Sequence, residues 1–207
     1  SDVHRNSPAC AVDRWRRFLN HARADKRQKL FLLLGDLEDA LSTSERRTLL
    51  DGGFHDSTLD RWEINYRNDI NDLFREISFM KGKTIGVFGG NHFFRFKDGV
   101  TSDQAIAGFL GAPYIGCAGY LILNLKYRKT PYTHDVKIFA HHGLGGGRTA
   151  GASFGKLEMA AARFRADILL MGHDHSRGAR RFPVLECVRH QDQYKIQEKD
   201  VLIARTG

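Results

Sequence analysis

The sequence is poor in cysteine. Its three, Cys10, Cys117 and Cys187, are scattered, odd in number and free of any C-x-x-C spacing. That pattern argues against a disulfide framework and against a cysteine-based zinc site, and it favours a reducing, cytoplasmic setting. Long apolar runs are missing too. The longest, Leu30 to Leu34 and Tyr120 to Leu123, fall far short of a bilayer span, so no transmembrane helix is expected. No internal repeat, low-complexity segment or linker interrupts the chain, and no Walker or dinucleotide glycine fingerprint is present.

What is present is an ordinary globular composition with a basic balance. The 207 residues suffice for one domain with a sizeable core, and a single domain over 1–207 is expected. A hydrophobic share of 42% and a charged share of 27% exclude disorder as the default. The formal net charge of +8 suits polyanions and phosphorylated ligands, nucleotides and nucleic acids among them.

Periodicity predicts an alternating α/β order. Val12, Trp15, Leu19 and Ala22 recur at helical spacing, giving a first helix over about 10–24 with arginines on its wet face. Leu30 to Leu34 is continuous enough for a strand covered on both faces. The polar stretch from Ser42 to Asp60 is expected as a loop or insertion. Trp62, Tyr66, Ile70, Leu73, Phe74 and Ile77 predict a long amphipathic helix over about 59–80. A strand at 84–88, a helix near 103–110, strands at 120–126 and 136–140, a helix at 154–164 and a strand at 167–171 follow. Segments 184–189, 194–197 and 201–204 are expected as antiparallel strands.

Chemistry gathers where these strands stop. Asp2-Val3-His4, Gly35-Asp36-Leu37-Glu38-Asp39, Gly90-Asn91-His92, His141-His142-Gly143 and Gly172-His173-Asp174-His175 are ligand-type clusters, four of them preceded by an apolar strand. Open α/β sheets place ligands at the carboxyl ends of strands. Each cluster alone reads as a turn or a solvated histidine; five in order do not. Mixed oxygen and imidazole donors suit manganese, iron, zinc or nickel better than calcium. The residues leave open which of His141 and His142 is the donor, with His141 favoured because it follows its strand directly.

The order D-x-H, G-D-x-x-D, G-N-H, H and G-H-x-H, running from Asp2 to His175, resembles the calcineurin-like metallophosphoesterases. That resemblance implies a four-layer αββα sandwich with two mixed sheets flanked by helices. It implies two divalent ions, Mn²⁺ foremost, that activate water to hydrolyse a phosphodiester or phosphomonoester. By the same resemblance Asp2, His4 and His175 hold one ion, Asp36 bridges both, and Asn91, His141 and His173 complete the second. His92 is the implied acid toward the leaving group. Phe93 departs from the pattern, standing where the family has an acidic residue beside that histidine. It lends some support to the alternative of a weak or inactive scaffold or nucleic-acid-binding module. Asp39 is expected to support the ligands by hydrogen bonds. Arg148, in the glycine-rich segment 143–149, is expected to contact substrate phosphate. The family's first core strand has no counterpart before Asp2, and the chain stops at Thr206-Gly207 directly after a strand, so a segment of a longer protein is expected.

Overall fold

A computed structural model describes residues 1–143 and 150–207. It divides the chain into two units, Ser1–Cys117 and Ala118–Gly207. The glycine-rich segment, Arg148 included, lies outside the described residues.

In the first unit the amphipathic stripes become helices packed on a small sheet. Strands β1 (Phe31–Leu33), β2 (Thr84–Phe88) and β3 (Tyr114–Gly116) pair in that order, parallel throughout. Helices α1 (Val12–Ala24), α2 (Thr43–Gly52), α3 (Asp56–Ile77) and α4 (Ser102–Leu110) accompany them. Leu73, Ile77 and Leu110 are wholly buried in one cluster with Val87, Phe31 and Leu33. The continuous apolar character of β1 and β2 is what burial on both faces requires. The stretch expected as a loop holds α2, which the Ser42–Glu45 capping box starts.

Before α1, the N-terminal segment runs beside the turn that follows β1. Backbone N–H groups of Val3 and His4 donate to the Asp36 carbonyl at 2.9 and 3.0 Å, and that of Arg5 donates to Leu37 at 2.9 Å. Arg5 fixes the segment: its guanidinium pairs with Glu38 and Glu76, each at 3.0 Å, and donates to the Asp69 carbonyl on α3. Asp2, His4 and Asp36 are thereby neighbours before any side chain is considered.

The second unit is a five-stranded mixed sheet, in the order β4 (Ala118–Lys126), β5 (Thr133–His141), β6 (Ile168–Met171), β8 (Gln193–Thr206) and β7 (Arg177–His190). Here β4 and β7 run antiparallel to their neighbours, while β5, β6 and β8 are parallel. Helix α5 (Ala150–Arg163) contributes Leu157 and Ala161 to a core with Phe139, Leu169, Val201 and Ile203. The three short strands expected after residue 180 are parts of one long hairpin, which tolerates Pro183 because β7 lies at the sheet edge. Across the described residues the fold is therefore α/β, with two sheets and five helices. No described helix is long and apolar enough to cross a membrane.

Asp167 ties three strands of this sheet together. Its carboxylate accepts from the Lys137 N–H at 2.7 Å and pairs with Lys199 at 2.7 Å. Burial raises the carboxyl's pKa, but the Lys199 and Lys137 bonds outweigh burial and leave it below its ordinary value. A depressed carboxylate stabilises the fold above its unfolded pKa, about 3.9, and loses that contribution as pH falls through the lower folded value. Asp167→Asn should therefore cost about 1–2 kcal/mol in urea unfolding at pH 7. The deficit should shrink as pH falls below about 3.9 and the wild-type carboxylate in turn takes up its proton.

Candidate functional site

Of the eight non-glycine residues with positive φ among those described, five are expected ligands: Asp2 (53°), His4 (45°), Asp36 (50°), His173 (71°) and His175 (51°). Left-handed backbone at ordinary residues is uncommon, costs on the order of 1–3 kcal/mol each, and gathers at functional sites.

In the first unit these turns form a polar nest. Asp36 is 2% exposed and accepts the His92 N–H at Oδ1, 2.8 Å away. Its Oδ2 lies 3.7 Å from His4 Nε2. Donors bound at about 2.0–2.2 Å sit no more than about 4.2 Å apart across one ion, so this pair fits a shared cation. The other ring nitrogen of His4, Nδ1, meets Asp39 Oδ1 at 3.0 Å, an orienting carboxylate of the kind metal-bound histidines use. Asp2 and His4 also offer donor atoms within 4.8 Å of each other. The donor chemistry thus suits a divalent ion.

Asp39 has a second task that its sequence position alone does not reveal. The same Oδ1 lies 2.9 Å from His92 Nδ1, and the His4 and His92 rings meet edge to face at 4.7 Å. A carboxylate from the loop after β1 thus lies close to the His92 ring, without hydrogen-bond geometry at Nδ1. Phe93 does something else. The Arg46 guanidinium lies over its ring at 3.8 Å and donates to the carbonyls of Asn91 and Phe93 at 3.0 and 3.1 Å, on either side of His92. Arg46 belongs to α2, so the element read as a loop grips the turn that carries Asn91 and His92.

Gly90 shows how tightly this is built. A Cβ there would stand 1.9 Å from Asp36 Oδ1, while the Gly90 N–H donates to Asp103 at the start of α4, 2.9 Å away. Only glycine lets the second strand's turn pass so close to the carboxylate.

In the second unit His141 closes β5 and His142 follows it. His142 is 2% exposed, with its ring centroid 5.3 Å from that of His173 and donor nitrogens within 4.8 Å. His141, favoured from sequence, instead accepts the Gly143 N–H at Nδ1, 2.7 Å away. Burial, then the charges of His142 and His173, lower its pKa. The structure thus brings His142 together with His173. The preference for His141 assumed that the first residue after the strand faces the ligand; Gly143, with φ 122°, turns the chain at the next position but one. A Cβ on Gly143 would come within 2.5 Å of the His173 Cβ. Arg180 and Arg181, which follow the last ligand turn, are bound within the unit, Arg180 to Glu158 and Arg181 to Asp200 at 3.5 Å.

Left-handed turns carrying carboxylate and imidazole donors are suited to holding divalent metal ions. A family model described as calcineurin-like phosphoesterase matches residues 1–177, and the chain belongs to that family. No curated protein matches the chain.

Gly90→Ala should displace the Asp36 carboxylate and lower metal affinity or turnover by about 10–100-fold, as loss of supporting contacts around a metal ligand does. Titration of the purified variant with Mn²⁺ reads the effect directly, and wild-type affinity would contradict the close approach.

Proposed function

We propose that the protein hydrolyses a phosphate ester, a diester in preference to a monoester, with two divalent ions held by Asp2, His4, Asp36, Asn91, His142, His173 and His175. The observation that carries the reading is the concentration of left-handed backbone at five of these seven residues. A fold that needed only stability would not retain such backbone at its ligand-type side chains and at few other places.

In this reading Asp36 would help to hold both ions, as its two oxygens and deep burial suit. His142 takes the role first given to His141, on the strength of its approach to His173. Bound, the ions supply Lewis-acid activation of water and charge neutralisation on the phosphate. Manganese is the preferred metal, with iron, zinc and nickel as alternatives that the donor set also accommodates. His92 donates a proton to the departing oxygen. With Nδ1 against Asp39, its Nε2 is the atom left for that transfer, and a positioned imidazole contributes about 10²–10⁴-fold. The nearness of the Asp39 carboxylate to the His92 ring supports an active enzyme over a scaffold that has lost turnover. Arg148 is the proposed phosphate contact from the glycine-rich segment.

The test is hydrolysis of bis(p-nitrophenyl) phosphate and p-nitrophenyl phosphate with added Mn²⁺. Turnover should vanish on chelation and return with the metal. Asp36→Ala should abolish it together with binding of one ion. His92→Ala should keep both ions while slowing turnover by about 10²–10⁴-fold. Equal rates for wild type and Asp36→Ala would remove the mechanism.

A further inference from the structure

Arg205 lies on β8, beyond residue 177 where the family match ends, and belongs to none of the ligand clusters. Its side chain is 1% exposed and pairs with Asp174, whose side chain is 3% exposed. A second bond runs from Arg205 Nη2 to the Gly172 carbonyl at 3.1 Å. Residues 172 and 174 flank His173, so one guanidinium grips the turn on both sides of that histidine. The register explains its reach: β8 runs parallel to β6, and Arg205 pairs with Met171, the last residue of β6 before the turn. On the next residue of β8, the Thr206 hydroxyl stands 3.5 Å from the Met171 carbonyl.

We infer that Arg205 is a positioning residue for the metal centre, holding the Gly172-His173-Asp174-His175 turn in the conformation that presents His173 and His175. The inference rests on the proposed ligand roles of those two histidines. Stability alone is a poor account of the arrangement. Removing two charges from water costs several kcal/mol per ion, and apolar pairs of similar volume are commonly as stable as buried ion pairs or more so. What an apolar pair cannot do is hold a carbonyl and a carboxylate on opposite sides of one residue. The turn needs such a hold, since His173 and His175 both carry positive φ and would relax to ordinary backbone without it.

Two variants of the full chain test this. Arg205→Lys keeps the charge but lacks the planar fork that spans both partners. The double variant Asp174→Leu/Arg205→Met removes both buried charges together, so it should melt close to wild type. Each should bind Mn²⁺ about 10–100-fold more weakly in calorimetric titration, as loss of the contacts that orient metal ligands does. The double variant separates positioning from stability, because its melting temperature is preserved while its affinity falls. If it binds Mn²⁺ as tightly as wild type, Arg205 serves only the fold and the inference is overturned. Should Arg205→Lys fail to fold, the double variant still decides. A wild-type protein that takes up no Mn²⁺ overturns the proposed function and this inference with it, and so is distinguishable from failure of the inference alone.

Discussion

Left-handed backbone at five ligand-type residues is the constraint around which the rest of this protein is arranged. Aspartate and histidine enter that region at a cost, and the surrounding structure must over-determine them to keep them there. Each turn has such a surround. Asp2 and His4 lie along the Asp36 turn through paired backbone bonds, and Arg5 anchors their segment to α3. The Asp36 carboxylate is fixed by the His92 N–H and by the space a glycine leaves at position 90.

Arginine is the recurring instrument. Arg5 holds the N-terminal segment, Arg46 the Asn91–Phe93 turn and Arg205 the His173 turn, each by donating to carbonyls or carboxylates beside the residue that matters. A planar fork with five donors suits that work better than an ammonium does. This reinterprets the basic composition. A net charge of +8 invites a polyanion-binding surface, yet Arg5, Arg46, Arg180 and Arg205 are bound within their own units. The case for a phosphate ester rests on the ligand turns and the family.

Much of the fold was legible because its signals are local. Continuous apolar runs marked β1, β2 and β6, and 3.6-residue periodicity marked α1 and α3. Helix α2 was passed over although Ser42 and Glu45 spell a capping box, because polarity between them outweighed the cap. The hairpin of β7 and β8 was broken into pieces since its outer half is exposed on both faces and carries little alternation. At the site, identity was readable and partnership was not. The clusters named the ligand types, but Asp39 meeting both His4 and His92, or Arg205 reaching back to Asp174, depends on contacts between distant positions. That His142 comes close to His173 depends on the path of the turn after β5, which no periodicity encodes.

Phe93 illustrates how a departure from a family pattern is absorbed. Asp39, from another loop, comes within 2.9 Å of the His92 Nδ1, and Arg46 stacks on the Phe93 ring. The central claim is that these turns exist to hold a pair of cations around Asp36. Anomalous diffraction from crystals grown with Mn²⁺ addresses it most directly. The account predicts a peak beside Asp36 and His4 and a peak beside His142 and His173; no peak at Asp36 would contradict it.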